Sequence, residues 1–374
     1  MTMPLKGRIN VGLIGAGFIG QVHSKMLRLI ADRTDAGVRV GSVYDRSLGA
    51  AEKLAERWPG AQSVSTLHQI LEDPALDAVF ICTPTATHRE ICLAAAHAGK
   101  HIFCEKPLAM KSAEAAEMQA AIGRAGVVGQ VGLVMRFAPI YTVMGALAND
   151  PAAGKILAVT MRDDHEFPIR GAHPSLWRND PLLTAGGSLA EHSVHDIDMF
   201  TWLFGPIARL NCMTRTVNGA SGIEDVGLLQ FEFAGGFHGQ LTSIWHAVSQ
   251  RASNRRMEIL CENVMLALDD DVGESIFVHR TTGAAQRLEK AELMTRFEDI
   301  ILKQRPYLAP LRDILELPYA LEDAAFIAAL RGETEPDPAF GAGVAVQRVV
   351  ELAYESARSG APVEVKVPGG RNHG

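Results

Sequence analysis

A strand, a glycine-rich turn and a helix follow one another near the start of the chain, and this order constrains the fold most. Residues 9–14 form an apolar run typical of a buried parallel strand, and residues 21–30 repeat apolar side chains at helical spacing. Between them lies the G-x-G-x-x-G sequence Gly15-Ala16-Gly17-Phe18-Ile19-Gly20. Gly15 permits a tight turn, Gly17 lets a pyrophosphate approach the backbone, and Gly20 lets helix and strand pack closely. Because the helix N-terminus also offers N–H groups and a positive dipole end to an anion, this segment predicts a dinucleotide-binding turn.

Strands and helices go on alternating up to residue 136, which indicates a doubly wound parallel sheet. The second strand, residues 38–44, ends in Asp45 and Arg46. A carboxylate at this place accepts hydrogen bonds from an adenosine ribose and repels a 2′-phosphate, so Asp45 favours NAD over NADP. The Arg46 guanidinium could instead stack on adenine or meet a phosphate. An ordinary solvated aspartate in a turn is the alternative interpretation of Asp45.

Polar residues follow two later strands of the same predicted sheet. The strand at 78–82 runs into Thr83-Pro84, and the strand at 102–104 runs into Glu105-Lys106-Pro107. Ligands of open α/β sheets bind beyond the carboxyl ends of the strands, so Lys106, restricted by the proline after it, is well placed to donate hydrogen bonds into a cleft. The alternative is a Glu–Lys pair in a surface loop. His88 starts the helix after Thr83-Pro84, and it could reach a nicotinamide or ribose or serve only in packing.

The second half of the chain has a different pattern, with several strands and few helices between them. We predict strands at residues 155–167, 207–217, 226–233, 237–248, 257–268 and 275–280, helices at 315–330 and 343–359, and a closing strand at 362–367. This order indicates an α+β domain with a mostly antiparallel sheet. The sequence therefore predicts two domains, residues 1–136 and residues 137–374.

One helix, predicted at residues 184–200, carries several polar groups inside this second domain. Its ionisable residues are Glu191, His192, His195, Asp196 and Asp198. Glu191, His195 and Asp198 share one face at spacings i, i+4 and i+7, and His192 and Asp196 share another. A histidine with a carboxylate one turn earlier is a poised general base.

Two alternatives to that interpretation remain. His192-x-x-His195 with Glu191 has ligand types for a metal, but the sequence shows no second ligand cluster. The acids could also satisfy only the helix dipole and backbone, which is the simplest account of Asp198.

Charge and cysteine usage exclude other classes of function. The chain has 36 Lys and Arg against 43 Asp and Glu, a net charge of −7, and no long basic run, so no nucleic-acid partner is expected. No apolar stretch approaches the length of a membrane span, and the first residues lack the apolar region of a signal peptide. The five cysteines show no Cys-x-x-Cys spacing and are expected to be reduced, mostly buried thiols of a cytoplasmic protein.

Four features occur together in a fixed order: the glycine turn, Thr83-Pro84, Glu105-Lys106-Pro107, and Ala185-Gly186-Gly187 leading to Glu191, His195 and Asp198. In this combination the chain resembles the glucose–fructose oxidoreductase/inositol dehydrogenase (Gfo/Idh/MocA) family over nearly its whole length. The resemblance implies an NAD-binding Rossmann domain at residues 1–136. It also implies that residues 137–374 bind substrate and assemble homodimers or homotetramers through an open antiparallel sheet.

The resemblance further implies hydride transfer between NAD and a secondary alcohol or ketone of a sugar, cyclitol or related polyol. His195 corresponds to the family's catalytic histidine and Lys106 to its motif lysine, while Glu191 stands where many members have Asp. In this mechanism His195 takes the hydroxyl proton, Lys106 donates to the same oxygen, and no metal takes part. Two rival functions stay open: a catalytically idle NAD-binding regulatory protein and an NAD-dependent glycosidase of the same family.

The predicted site residues form three groups. The catalytic group is Lys106, His195 and Glu191. The predicted cofactor-binding residues are Gly15, Gly17, Phe18, Ile19, Gly20, Asp45, Arg46, Thr83, Pro84, His88, Glu105 and Lys106. The predicted substrate-binding residues are Lys106, Arg136, His165, Trp177, Arg178, His192 and His195, with Arg162 and His173 as further candidates.

Overall fold

The computed structural model describes residues 4–34, 37–168, 175–217, 220, 222–248, 250, 253–270 and 275–365. Backbone proximity divides the chain into two units. Unit 1 comprises residues 1–138 together with 298–347, and unit 2 comprises residues 139–297 together with 348–374. The sequence predicted two consecutive domains, residues 1–136 and 137–374, whereas in the structure residues 298–347 belong to unit 1.

A six-stranded parallel sheet forms the centre of unit 1. Its strands are β1 Asn10–Ile14, β2 Arg39–Tyr44, β3 Gln62–Val64, β4 Ala78–Ile81, β5 His101–Glu105 and β6 Gly129–Gly132. They lie in the order β3-β2-β1-β4-β5-β6, and every neighbouring pair is parallel. The chain therefore winds outward in opposite directions from β1 and β4, which confirms the doubly wound sheet and places its switch point between these two strands.

Helices cover the strands of this sheet because the strands are apolar on both faces. Every residue of β4 and β5 is buried, as in parallel sheets that are packed on both sides. The helices of unit 1 within the first 138 residues are α1 Phe18–Arg33, α2 Leu48–Ala55, α3 Leu67–Leu71, α4 His88–His97 and α5 Ser112–Ala125.

Unit 2 contains a nine-stranded mixed sheet. Its strands are β7 Ile156–Glu166, β8 Ile207–Arg215, β9 Val226–Phe233, β10 His238–His246, β11 Asn254–Cys261, β12 Val264–Leu268, β13 Ile276–Arg280, β14 Gln286–Leu288 and β15 Val363–Glu364. Their order is β14-β13-β12-β11-β7-β10-β9-β8-β15, and among these strands only β7 and β10 pair in parallel. The mostly antiparallel sheet expected from the sequence is thus confirmed.

Two predicted elements of unit 2 are divided in the structure. The strand expected at 257–268 is a hairpin of β11 and β12, because the N–H groups of Glu262 and Asn263 turn to the carbonyls of Lys155 and Ala153. The helix expected at 184–200 is two helices, α7 Ser188–Glu191 and α8 Val194–Phe204. Ser193 separates them, and its hydroxyl lies 2.7 Å from that of Ser243 on β10 and 3.1 Å from the Asp163 carboxylate on β7.

The remaining helices are α6 Pro139–Ala148, α9 Lys290–Gln304, α10 Pro318–Leu330 and α11 Phe340–Ser359. The sequence analysis did not identify α6 or α9. Every residue of α10 from Ala320 to Leu330 is buried, so this helix has no solvent-facing side and needs packing partners all round. It packs against α1, and the Gln130 side chain on β6 donates to the Glu322 carbonyl at 2.9 Å. This burial explains why the segment belongs to unit 1.

No helix in the described part of the chain combines the length and apolarity needed to cross a lipid bilayer.

Candidate active site

The glycine turn closes against the end of β4, at the switch point of the parallel sheet. Gly15 has φ +104°, and a Cβ built on it would lie 2.6 Å from the Cys82 carbonyl oxygen. A Cβ on Gly20 would lie 2.1 Å from the Gly15 oxygen. Both positions therefore require glycine for the backbone to follow this path. The turn thereby brings the N-terminus of α1 to the crevice where open α/β sheets bind ligands.

Gly17 is different, because a Cβ built on it would meet no atom within 4 Å. Its φ of −69° is also accessible to any residue. The open space lies at the N-cap of α1, which has no capping side chain and no acidic residue in its first turn. Phe18, the next residue, is 56% exposed. A helix N-terminus that is open and free of acids in this way fits a bound pyrophosphate.

Asp45 fixes the end of β2 beside this turn. Its two carboxylate oxygens accept hydrogen bonds from the N–H groups of Ala16 and Ser47, each at 2.8 Å. A carboxylate has about four lone-pair positions, so the half-buried Asp45 keeps acceptor capacity for ribose hydroxyls. Arg46 is exposed. The structural and ribose-binding interpretations of Asp45 are therefore compatible.

His88 links the exits of β4 and β5. Its ring is 1% exposed, with Nε2 2.7 Å from the Thr83 carbonyl oxygen and Nδ1 2.8 Å from the Pro107 carbonyl oxygen. Both nitrogens thus face the backbone of the two loops that were expected to border the cofactor. This geometry favours the packing role of His88 over direct contact with a nicotinamide or ribose.

Lys106 directly follows β5 and is half-buried. Its backbone N–H donates to the Glu105 carboxylate at 3.1 Å, and its peptide bond to Pro107 is cis. Since all six strands are parallel, Lys106 emerges at the same edge of the sheet as the glycine turn and Thr83. Arg136 lies in a 3₁₀ turn beyond β6, and it is half-buried.

In unit 2, the Gly186-Gly187 loop is clamped by Glu224. The Glu224 carboxylate accepts hydrogen bonds from the N–H groups of Gly187 and Leu189 and from the Tyr354 hydroxyl, at 2.8–2.9 Å. A Cβ on Gly187 would lie 1.7 Å from the Glu224 carbonyl oxygen, so this position requires glycine. Burial raises the pKa of Glu224, although the N–H groups that it binds oppose that change. The clamp fixes the start of α7.

His195 and Glu191 lie at the junction of α7 and α8. His195 is 6% exposed and Glu191 is 1% exposed. Glu191 lies 3.5 Å from the Arg178 guanidinium and accepts a hydrogen bond from the Ala185 N–H at 3.1 Å. Because the helix is interrupted at His192, the predicted helical face of Glu191, His195 and Asp198 is not continuous, which corrects the spacing argument. Arg178 also stacks on Trp177, with 4.4 Å between the guanidinium carbon and the ring centroid.

A buried charged cluster lies on the other side of this junction. Arg255 on β11 is 2.7 Å from the Asp196 carboxylate and 3.0 Å from His192 Nε2. His192 Nε2 is also 3.2 Å from the Asp163 carboxylate. Burial and the neighbouring Asp163 raise the pKa of Asp196 to about 6, against the opposing charge of Arg255. His192 and Asp196 are therefore connected through Arg255 on β11, and not by the shared helical face that the sequence predicted, because His192 precedes α8.

The other substrate candidates have separate surroundings. The ring of His165 is 4.3 Å from that of His192, centroid to centroid, so these two predicted residues are neighbours. Arg162 pairs with Asp164 at 3.0 Å on β7. His173 lies outside the described residues. Glu224, Tyr354 and Arg255 were not predicted from the sequence, because isolated residues carry no local pattern that marks them as partners of residues distant in the chain.

Within the described ranges, no group of three or more His, Cys, Asp or Glu side chains is arranged to hold a metal ion. All five cysteines are free and buried, as expected from their number and spacing.

Comparison with known proteins identifies both parts of the chain. Residues 9–133 match the model of an oxidoreductase family with an NAD-binding Rossmann fold, and residues 141–267 match the GFO/IDH/MocA C-terminal domain. The oxidoreductase YrbE of Bacillus subtilis is 27% identical over 96% of this chain and 97% of its own length.

Two named dehydrogenases match over a shorter region. Levoglucosan dehydrogenase of Pseudarthrobacter phenanthrenivorans is 32% identical over 56% of this chain, and myo-inositol 2-dehydrogenase of Thermotoga maritima is 29% identical over 53%. These matches span about half the length of each relative, 54% and 55%.

The solved structure of a levoglucosan dehydrogenase in complex with NADH and levoglucosan shares the fold. It has a TM-score of 0.84 and 24% identity, and the match covers 96% of this chain and all of that one. The two family models together span most of the chain, from the glycine turn through the mixed sheet. The chain therefore belongs to the Gfo/Idh/MocA oxidoreductase family, and its N-terminal part is the family's NAD-binding Rossmann domain.

Proposed function

We propose that this protein is an NAD-dependent dehydrogenase that acts on a CH–OH group, a secondary alcohol or ketone of a sugar, cyclitol or related polyol. The observation that carries the proposal is the position of Lys106 in unit 1. It follows β5 at the same edge of the parallel sheet as the open, acid-free N-terminus of α1. The names of relatives that act on levoglucosan and myo-inositol support this substrate class.

Within unit 1, residues 1–136 would hold the cofactor, and unit 2 would hold the substrate. Gly15, Gly17 and Gly20 shape the phosphate turn, and Asp45 receives the ribose hydroxyls. NAD, when bound, supplies the site that accepts or returns the hydride. The choice of NAD over NADP rests on Asp45, whose fixed carboxylate would oppose a 2′-phosphate.

Lys106 and His195 would divide the chemistry at the reacting oxygen. Lys106 donates a hydrogen bond to that oxygen and stabilises the negative charge that develops on it. His195 takes the hydroxyl proton during oxidation and returns it during reduction. Glu191 pairs with Arg178 and accepts a hydrogen bond from the Ala185 N–H. Its proposed role is therefore to fix the loop before α7, and so to position His195.

The substitutions His195→Ala and Lys106→Met test this division of labour. Loss of a positioned general base typically costs ~10²–10⁴-fold in rate, so His195→Ala should lower turnover heavily while NAD still binds. High pH should partly restore His195→Ala, because hydroxide or water can take the proton. Lys106→Met should lose most turnover at every pH, because hydroxide does not replace a fixed positive donor. The measurement is turnover per folded, NAD-competent molecule across pH.

The double variant provides the internal control. Groups that act as a unit are non-additive, so His195→Ala combined with Lys106→Met should be little worse than the poorer single variant. Near-normal turnover of His195→Ala would reject it as the base and direct attention to His192.

A substrate panel separates this proposal from its rivals. NADH absorbance should increase with at least one compound among inositols, aldoses, sugar acids and amino sugars. Retained NAD without net NADH formation, together with release of the aglycone from a nitrophenyl glycoside, would instead identify a glycosidase. NAD binding without turnover of any of these compounds would favour a regulatory protein.

We also propose a cytoplasmic homodimer or homotetramer assembled through the sheet of unit 2. Support comes from apolar residues of this sheet that stay exposed, among them Leu157 on β7, Leu228 on β9 and Leu260 on β11. Light scattering of the purified protein should give twice or four times the chain mass of 40.3 kDa. A monomer at micromolar concentration would contradict this assembly.

A further inference from the structure

A buried histidine lies directly behind the Glu105-Lys106 step. His23, on α1, is 0% exposed. Its Nε2 is 3.0 Å from the Glu105 carboxylate on β5, and its Nδ1 is 2.7 Å from the Asp323 carboxylate on α10. All three residues belong to unit 1, although His23 and Asp323 are 300 positions apart in sequence. Nothing in the proposed mechanism uses this histidine.

The chemistry of the three groups fixes the protonation of the ring. Ionised carboxylates only accept hydrogen bonds, and a neutral imidazole has a single N–H. With both carboxylates ionised, the two contacts of His23 are satisfied together only when both ring nitrogens carry protons. Buried charges need such pairing, because an unpaired one is costly away from water. His23 is therefore an imidazolium held between Glu105 and Asp323.

The electrostatics favour this assignment at His23 and Glu105, whereas burial and the charge of Glu105 raise the pKa of Asp323 against the opposing charge and hydrogen bond of His23. Burial would lower the pKa of His23, but the charges and hydrogen bonds of Asp323 and Glu105 outweigh it and raise the pKa well above its ordinary value. Burial would raise the pKa of Glu105, yet His23 and Lys106 hold it below its usual range. The other titratable neighbours are the Tyr319 ring, 5.8 Å from His23, and the Cys82 thiol, whose pKa is raised by burial and by both carboxylates.

Glu105 connects His23 and Asp323 to Lys106, because its carboxylate contacts both the His23 ring and the Lys106 backbone. One of its oxygens faces His23, and the other accepts the Lys106 N–H at 3.1 Å. The carboxylate fits against Gly132 on β6, where a Cβ would lie 2.9 Å from Oε1. Glu105 therefore has little freedom, and its orientation determines where the chain turns into Lys106.

We propose that His23 and Asp323 are positioning residues, a buried imidazolium and its counter-ion that hold Glu105 and, through it, the backbone of Lys106. The proposal rests on the proposed catalytic role of Lys106. A misplacement of a reacting group by about 1 Å can cost on the order of 100-fold in rate, so small movements at this step have large effects.

The first test measures the ring itself and requires no turnover. The ¹⁵N chemical shifts of the histidine rings should show His23 doubly protonated at pH 7–8, with the signal assigned by its absence in His23→Gln. In Asp323→Asn the His23 ring should lose its second proton at a lower pH than in the unaltered protein, because only one of the two carboxylates that contact the ring remains. A neutral His23 ring in the unaltered protein at pH 7 would overturn the proposal.

The second test is kinetic and uses three different ways to disturb the same contact. His23→Gln and Asp323→Asn remove charge, whereas Gly132→Ala pushes on the Glu105 carboxylate without changing any charge. Each should lower kcat by ~10–100-fold with little change in KM. The matched control is Ser24→Ala, which removes another buried hydrogen bond of α1, from Trp58 Nε1 at 2.9 Å, and should leave kcat unchanged. Equal losses in the Ser24→Ala control would overturn the proposal.

The Lys106→Met background decides whether the effect passes through Lys106. There, His23→Gln should cause no further loss of kcat, since a positioning residue has nothing left to position. A full additional loss would overturn the proposal. Near-normal turnover of Lys106→Met alone would instead reject the proposed function and the catalytic part of this inference. A neutral His23 ring beside an inactive Lys106→Met would reject only the role of the histidine.

Discussion

The Asp45 carboxylate is held by the backbone on both sides. It accepts hydrogen bonds from the N–H group of Ala16, in the glycine turn, and from that of Ser47, just beyond β2. These bonds fix the carboxylate between the end of β2 and the glycine turn. A carboxylate that is already fixed does not turn away to admit a 2′-phosphate. Its bonds to the turn also mean that a change at Asp45 acts on two things, the shape of the turn and the preference for the cofactor.

Cofactor preference can therefore be tested with Asp45 and its amide. The unaltered protein should bind NAD more tightly than NADP, by about 1–3 kcal/mol. Asp45→Asn keeps an oxygen acceptor but removes the charge, and should narrow the gap mainly by improving NADP binding. Titration of both cofactors against both proteins is the measurement. Equal or tighter NADP binding by the unaltered protein would reject the role of Asp45.

Asp196 should make stability depend on pH in a direction opposite to that of most carboxyl groups. Burial raises its folded-state pKa to about 6, so between about pH 4 and pH 6 the folded protein keeps a proton that the unfolded chain loses. The contribution of Asp196 to the free energy of unfolding therefore falls as pH rises through this window, by an amount on the order of 3 kcal/mol, and is constant above it.

Urea unfolding of the unaltered protein and of Asp196→Asn at several pH values checks this expectation. The free energy of unfolding of the unaltered protein minus that of Asp196→Asn should decrease from pH 4 to pH 6 and then stay constant. Ser243→Ala is the matched control, because it alters the same buried region without a titrating group. A difference that grows with pH would show that Asp196 titrates below its ordinary value.

Among the elements, α1 carries two separate structural features along its length. Its N-terminus lies at the glycine turn, and one turn further on His23 faces β5 and α10. The glycines of the turn also differ in what they do. Gly15 and Gly20 are required by the backbone, whereas the space at Gly17 is used by nothing in the described protein.

This difference gives a sharp prediction for two alanine variants. Gly17→Ala should change the free energy of unfolding by less than about 1 kcal/mol yet weaken NAD binding strongly, because the new methyl group occupies the place of the pyrophosphate. Gly20→Ala should lose both NAD affinity and about 1–3 kcal/mol of stability, because its methyl group meets the Gly15 oxygen.

Thermal unfolding without NAD and calorimetric titration of NAD separate the two effects. Gly123→Ala, in the last turn of α5 where a Cβ would meet no atom within 4 Å, is the control and should leave NAD affinity unchanged. Undiminished NAD affinity in Gly17→Ala would mean that the cofactor does not approach this turn.

Strands β1, β4 and β5 of unit 1 could be predicted from the sequence because they are largely apolar runs, whereas β3 could not, because it has three residues and only one apolar side chain. The α7–α8 break could not, since helical spacing extends across it and the interruption depends on Ser193 bonding to β7 and β10. Lys106 and His195 stood out by motif. The buried residues His23 and Glu224 did not, because a buried polar residue is recognised only by what it contacts.

For the whole molecule, the boundary of unit 1 was the largest departure from the sequence pattern. Residues 298–347 follow an α+β region and look like its continuation, yet α10 is buried all round and packs on α1. Helical periodicity shows that a helix has an apolar face. It does not show which sheet will receive that face.

Activity of the whole protein should not depend on a metal. The described residues contain no group of potential ligands arranged around one point, and the proposed chemistry uses only Lys106 and His195 at the reacting oxygen. Dialysis against a strong chelator should leave turnover and the melting temperature within error of the untreated protein. Loss of activity that zinc or manganese restores would revive the metal interpretation of Glu191, His192 and His195.

Unit 1 consists of two segments that are far apart in sequence, so they are synthesised at different times. A ribosome delivers the glycine turn, His23 and Glu105 early, then the whole stretch from 139 to 297, and Asp323 only afterwards. Until Asp323 has been made, the chain contains only one of the two carboxylates that contact His23 in the folded protein. A gene exchange that moved residues 1–138 alone would carry the same deficit permanently, so recombination within this family must transfer both segments or supply another helix to close the gap.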